Sequence, residues 1–158
     1  MLETAEAAKY ILVKNPKGLE KLNVHKILYI CNCYHIWIYD AEMLKESFFA
    51  YSFGPLLKAF YEKTKNFKLS KNGKVLYCRN FTVDSFPDVS LDSIPEQCLK
   101  VMDFVCSKYK QKWSIDNFIS IKCKAYEDSR KIKPNNKIEK EMVIKYKPFL
   151  VKPVGFCL

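Results

Sequence analysis

Leu22-Asn23-Val24-His25-Lys26-Ile27-Leu28-Tyr29-Ile30-Cys31-Asn32-Cys33-Tyr34-His35-Ile36-Trp37-Ile38-Tyr39 is the stretch whose reading decides the fold. Val24, Ile27, Leu28, Cys31, Tyr34 and Ile38 recur at i, i+3, i+4, i+7 spacing, which lines one face of a helix. The opposite side is apolar too, carrying Tyr29, Ile30, Cys33 and Trp37. A helix that is apolar almost all round belongs in the centre of a domain, with its neighbours packed onto it. The stretch is too short for a bilayer and carries Lys26 and two histidines, so it does not read as a membrane span.

Working outward, Thr4 is placed to cap a first helix running to about Lys14, with Ala8, Ile11 and Leu12 inward. Asn15-Pro16-Lys17-Gly18 ends that helix. The start of the central helix has two candidates, Asn23 as the better capping residue and a point nearer Glu20. Beyond Tyr39 the chain turns at Asp40 and passes through Met43 and Leu44. Ser47 to Phe53 is aromatic and extended, a short strand. Gly54-Pro55 breaks it, and Pro55 suits the first turn of a following helix. Leu56, Leu57, Phe60 and Tyr61 would form that helix's apolar side.

Phe67 to Tyr77 is a hairpin candidate around Asn72-Gly73, a dipeptide that favours the turn needing two positive φ angles. Phe81 to Leu91 reads as a loop. Ser93-x-x-Glu96 has the pattern of a capping box. It opens a helix with Cys98, Val101, Met102, Val105 and Tyr109 in period. Ser114 is placed to cap a further helix through Ile115, Phe118, Ile119 and Lys122, and a short one follows from Tyr126 to Arg130. After Pro134-Asn135-Asn136 a last helix is expected from Lys137 to Lys147, with Ile138, Met142 and Tyr146 inward. Pro148 and Pro153 make the tail non-helical. The expectation is one domain over residues 1–158: mainly α, a compact helical domain around a buried central helix, with a small β-hairpin or short-strand element (α+β).

Composition sets the function classes. With 49% hydrophobic residues the 158-residue chain can build a full core. Met1-Leu2-Glu3-Thr4 has no basic, apolar signal-like pattern, so a cytoplasmic protein is the default. Seven cysteines, an odd number without a secretory pattern, read as reduced thiols. Cys31 and Cys33 point in different directions on a helix, which argues against a zinc site. The net charge is +10, and the segment Lys108 to Lys152 holds 13 basic and 5 acidic residues. Only Arg79 and Arg130 are arginines among the 27 basic residues. Lysine is the weaker tool for bidentate phosphate or base recognition, so a solvated basic surface is favoured over a nucleic-acid site.

No Gly-rich phosphate loop and no Gly-x-Ser-x-Gly elbow is present. Glu127-Asp128 diverge as helix neighbours and read as a solvated pair. His35 lies four residues from Cys31, so a Cys–His nucleophile is conceivable; a core histidine bonded to a backbone carbonyl is the favoured reading. Phe49, Tyr51 and Phe53 alternate along the extended stretch, which sends them to one face, away from Ala50 and Ser52. Gly54-Pro55 fixes where that face ends, and aromatics at such a corner are good anchors for a protein partner, although core packing is the favoured fate of at least two of the three.

Two segments carry a family resemblance. Lys26-Ile27-Leu28-Tyr29 followed by Asn32-Cys33-Tyr34-His35-Ile36 resembles a Lys-Leu-Leu-Tyr…Gln-Gly-Trp-His-Leu helix. Phe49-Ala50-Tyr51-Ser52-Phe53-Gly54-Pro55-Leu56 resembles a Glu-Ala-Trp-x-Tyr-Gly-Pro-Val segment. Together they are similar to the Panacea domain family over about Glu20 to Tyr61. That family includes phage-associated proteins and promiscuous antitoxins, among them a proteolytic-adaptor antitoxin. The resemblance starts the central helix nearer Glu20 and maps His35 onto a recurring position. It implies a non-enzymatic, antitoxin-like protein-binding module with no cofactor. The implied partner is a protein, a small toxin encoded nearby, with a protease as the second; nucleic acid is less favoured and no membrane is expected. The partner surface expected is Phe49, Tyr51, Phe53, Gly54 and Pro55. Two alternatives stay open: a basic nucleic-acid-binding protein, and a cryptic hydrolase using His35 and a cysteine. The family's C-terminal Leu-x-x-Leu-Thr-His and Trp are not matched: Phe118-Ile119-Ser120-Ile121-Lys122-Cys123 lacks Thr-His, and Tyr126 stands where the Trp would.

Overall fold

The structure is a computed structural model that describes residues 1–71, 74–77 and 79–148, with side chains outside 68–71 and 74–77. Its helices are α1 (Thr4–Val13), α2 (Lys21–Tyr39), α3 (Lys58–Thr64), α4 (Glu96–Lys108), α5 (Lys112–Asn117), α6 (Ala125–Ile132) and α7 (Lys140–Lys145). The strands are β1 (Leu19–Glu20), β2 (Phe48–Tyr51), β3 (Gly54–Leu57), β4 (Lys68–Lys71), β5 (Lys74–Tyr77), β6 (Asn80–Phe81) and β7 (Asn136–Lys137). The fold is mainly α with small antiparallel sheets, as the periodicity predicts.

Helix α2 is the centre of the domain. Every residue from Val24 to Trp37 is buried except Lys26, while Ile38 at the end of the predicted face is only half-buried. Helices α1, α4, α5 and α7 and strand β3 pack around it. The polar groups carried inside are all used to bring the chain back. Asn32 Oδ1 accepts the Met43 N–H at 2.8 Å, and Trp37 Nε1 donates to the Val143 carbonyl at 2.8 Å, tying α7 to α2. Each such bond offsets the cost of burying a polar group, and His25 Nε2 is the exception, with no hydrogen-bond partner among the described residues. The helix stops at Asp40, whose φ of 54° is left-handed. Among the described residues no helix is long and apolar enough to cross a membrane.

Several boundaries differ from the sequence reading, each for a tertiary reason. Of the two candidate starts for α2 the structure takes the one nearer Glu20, at Lys21, rather than Asn23, because β1 pairs antiparallel with β6 and the Lys21 N–H donates to the Arg79 carbonyl at 3.1 Å. That pairing fixes the chain up to Glu20. Helix α1 begins after Glu3, not Thr4: Leu2 is bonded to Met43 and Lys45, and Glu6 accepts the Glu3 N–H at 3.1 Å. The Thr4 hydroxyl turns instead to Glu46 at 3.2 Å. Ser93 caps nothing, since its hydroxyl donates to Glu6 at 2.9 Å and α4 begins after Pro95. Ser114 lies inside α5, its hydroxyl donating back to the Gln111 carbonyl. Beyond Asn117 the helix widens into a π turn over Phe118–Lys122, closed by Cys123 N–H on the Phe118 carbonyl.

Two corrections concern the sheet. Gly54-Pro55 does not start a helix. Gly54–Leu57 is the second strand of a hairpin, paired Phe48↔Leu57 through Tyr51↔Gly54, and α3 starts only at Lys58. The Glu46 carboxylate accepts the Ala59 and Phe60 N–H groups at 2.6 and 3.1 Å, so the first turn of α3 is capped from outside. The last helix is shorter than expected because Asn136–Lys137 is β7, paired with the free edge of β2. The resulting order is β3-β2-β7. Covering that edge removes a row of unpaired backbone groups. Strands β4 and β5 pair as the hairpin predicted, with Lys71 opposite Lys74; the Asn72-Gly73 turn lies outside the described residues, as does the tail after Pro148.

Gly18 shows how tightly β1 and β6 approach. Its φ is +80°, and a Cβ there would stand 2.7 Å from the Phe81 carbonyl oxygen. Gly18→Ala should therefore cost roughly 1–3 kcal/mol through backbone strain. Chemical denaturation would check this; a wild-type midpoint would show that the strand can shift without loss.

Candidate partner-binding site

The corner identified in the sequence is the turn of the β2–β3 hairpin. On β2, Phe48 and Ala50 are buried against the core while Phe49 and Tyr51 are half-buried on the other face. The alternation therefore holds within the strand but ends at Tyr51. Ser52 and Phe53 form the turn and both are exposed, so Ser52 is not turned away as expected. Phe53 is 44% exposed, with its ring centroid 5.6 Å from that of Tyr51. Gly54 and Pro55 are buried and support the corner rather than present themselves.

Gly54 is needed there. Its φ is +131°, and a Cβ would meet the Lys26 side chain at 3.1 Å. The Lys26 stem lies across the glycine and its ammonium pairs with Asp116 at 2.8 Å. The Tyr126 hydroxyl donates to the Tyr51 carbonyl at 2.5 Å. Tyr126 is thus the clasp of the hairpin mouth. No local pattern marks this role, because the contact joins α6 to a turn 75 residues away.

Beside Phe53 lies a cleft of about 290 Å³, lined by Glu20, Lys21, Leu22, Phe53, Tyr61, Lys65 and Arg79. The walls are apolar and aromatic, and the rim carries three cations against one carboxylate. The Lys21 ammonium donates to the Thr64 carbonyl at 2.9 Å and lies 5.2 Å from the Phe81 ring centroid. The Lys65 ammonium pairs with Glu62. Beneath it, His25 is buried, edge-on to Phe60 at 5.4 Å and tilted against Tyr61 at 6.3 Å.

His35 behaves as the favoured reading has it. Its Nδ1–H donates to the Ala41 carbonyl at 2.6 Å, and burial holds its pKa below the ordinary histidine value. The sulfur facing Nε2 is Cys98, at 3.9 Å, rather than Cys31 on its own helix. A base oriented by a carbonyl and facing a thiol is the arrangement nucleophilic catalysis uses. Here both side chains are only 2% exposed, and burial raises the Cys98 thiol above its usual pKa. The pair has the distance of a nucleophile and its base without the access or the thiolate.

Among the described residues no three His, Cys, Asp or Glu side chains converge as a metal site. Cys33 and Cys123 lie 3.8 Å apart, with the Tyr29 hydroxyl 3.7 Å from Cys123; burial pushes Cys33 up. Asp128 accepts the Tyr146 hydroxyl and pairs with Lys131 and Lys145, which together hold its pKa below the usual range. Glu127-Asp128 is thus a surface pair, as expected.

Cys31, Cys33, Cys98 and Cys123 are buried and Cys106 is half-buried, all as free thiols. A thiol reagent should leave the four buried ones unmodified in the native protein and count seven after denaturation without reductant. Five or fewer would mean disulfides, against the sequence reading. No protein-family model, curated protein or solved structure matches the chain.

Proposed function

We propose that this chain is a non-enzymatic protein-binding module of the antitoxin kind, neutralising a partner toxin by direct contact or by delivering it to a protease. The observation that carries the reading is the exposed Phe53, held at a clasped hairpin turn on the lip of an apolar, cationic-rimmed cleft. An aromatic ring presented on rigid backbone contributes contact area at low entropic cost, and such rings dominate many interfaces. Tyr51 backs the ring. Lys21, Lys65 and Arg79 favour a partner segment bearing acidic residues and would speed its association at low salt. The resemblance to antitoxins supplies the kind of partner, a small toxin encoded nearby.

The test co-expresses the chain with the product of the adjacent gene. Wild type should rescue growth, and Phe53→Ala should rescue less, with affinity lowered by about 2 kcal/mol, roughly thirtyfold. Tyr51→Ala should weaken it by a smaller factor, since its ring is half-covered. Full rescue by a Phe53→Ala protein that melts like wild type would place the partner elsewhere. A harmless neighbour with no co-purifying protein would remove the antitoxin reading.

A further inference from the structure

Away from that corner, Trp113 on α5 is 74% exposed and Ile121 in the π turn is 62% exposed. A single exposed apolar side chain is ordinary on a protein surface; two on one helical run among unpaired cations make a candidate contact face. They sit eight residues apart on one helical run. The wider π turn brings positions two turns apart into line, and both residues project away from Ile115, Phe118 and Ile119, which are buried. Lys108, Lys110, Lys112, Lys122 and Lys124 flank them along the chain, all exposed. Lys108 and Lys122 lie 5.8 and 5.9 Å from the Tyr109 ring centroid. Among the described residues none of the five lysines forms an ion pair. The one acidic residue of the segment, Asp116, is engaged by Lys26.

We propose that this face docks on an anionic lipid surface, with Trp113 and Ile121 entering the headgroup layer and the lysines lying over the acidic headgroups. Three observations favour lipid over the other anionic surfaces. Tryptophan is at home where one end of a side chain is apolar and the other wet. Isoleucine has no ring face on which a nucleic-acid base could stack. The cations are all lysines, which are depleted in protein interfaces and inferior to arginine for bidentate phosphate contacts, yet fully effective against a diffuse surface charge. Among the described residues no helix is long and apolar enough to span a bilayer, but a surface contact needs no span; it needs an apolar wedge and charge, and both are present.

The protein carries its own reporter. Trp37 is 2% exposed, so a blue shift of tryptophan emission on adding vesicles reports Trp113. Phosphatidylcholine vesicles containing phosphatidylserine should sediment the protein and shift its emission; phosphatidylcholine alone should do neither, and high salt should reverse both. Lys110→Gln with Lys112→Gln should weaken the partition roughly fivefold for each charge removed. Trp113→Ala should lose most of the sedimentation at an unchanged melting temperature. No partition into the acidic vesicles at low salt would overturn the proposal, as would full sedimentation of Trp113→Ala. A single-stranded oligonucleotide that quenches the emission without a blue shift, where vesicles do nothing, would assign the face to nucleic acid instead.

Discussion

Leu28→Ala is expected to lower the stability of the protein by about 2–5 kcal/mol. Leu28 is fully buried in the middle of α2, the one helix that α1, α4, α5, α7 and β3 all pack against. Truncation removes the transfer free energy of its methyl groups and leaves a cavity. Relaxation is limited, because neighbours on every side are held by other contacts. A domain of this size has about 5–15 kcal/mol in total, so the loss is a large share. The thermal midpoint should fall by roughly 2–4 °C for each kcal/mol. Ile38→Ala is the internal comparison: it lies on the same predicted face but is half-buried, so its cost should be clearly smaller. Equal midpoints for wild type and Leu28→Ala would show that the centre of the core is elsewhere.

That contrast shows how far the helical pattern carries. Periodicity placed the apolar residues of α2 correctly, because burial of large side chains is the dominant local signal and survives whatever surrounds it. It could not say where the face fades, since Ile38 is set by which neighbours reach the helix end. The capping predictions failed where a distant partner competed for the same hydroxyl: Thr4 bonds Glu46, and Ser93 bonds Glu6. Pro55 failed for a related reason. Its fixed φ fits a helix start and a strand equally, and pairing with β2 decides between them. Residues 136–137 read as helix until the edge of β2 claims them.

The candidate site was legible in part. The aromatic alternation and the Gly-Pro pair located the corner, because both are local. Its clasp, Tyr126, and the cleft walls from Leu22, Lys65 and Arg79 come from four separate segments, which no local pattern links. The reading of His35 as a core histidine bonded to a carbonyl holds, but the sulfur beside its other nitrogen comes from α4, a contact between helices that no spacing within α2 reveals. The isolated Trp113 passed without notice. Its single-residue signal is invisible until exposure is known, as tryptophan is ordinarily covered.

His25 should make the protein acid-sensitive from about pH 6.5 downward, starting above the range in which carboxylates act. It is 1% exposed, and burial lowers its pKa from the ordinary histidine value to about 4. The geometry supports the direction. The Leu57 N–H donates to Nδ1 at 3.2 Å, so the neutral ring must carry its proton on Nε2, which has no hydrogen-bond partner among the described residues. A second proton could enter only at Nδ1, facing a backbone donor and replacing the bond to Leu57 with a donor–donor clash. In the unfolded chain the same ring protonates near pH 6.5. Between these values the unfolded state binds more protons, so stability rises with pH there. The contribution is complete above about pH 6.5 and is lost as pH falls toward about 4, an amount of roughly 3 kcal/mol. His35, whose pKa burial also lowers, adds to the slope with the same sign. Surface carboxylates such as Glu3, Glu96 and Asp128 are held below their ordinary values by hydrogen bonds and ion pairs, so their share of the acid loss begins only near pH 5, as the unfolded chain starts to protonate, and adds to the slope at the acid end. Urea titrations at pH 7.5, 6, 5 and 4.5 should therefore show a steadily falling midpoint for wild type. His25→Asn keeps an oxygen near the Nδ1 position to accept the Leu57 N–H and cannot titrate. It should lose stability at every pH through poorer packing, yet its midpoint should vary much less between pH 7.5 and 5, the remaining slope there belonging to His35 and the carboxylates adding theirs below about pH 5. The discriminating quantity is that slope, since a merely structural role for His25 would lower the whole curve without flattening it. A variant as pH-dependent as wild type would show that the ring takes up its second proton inside the fold.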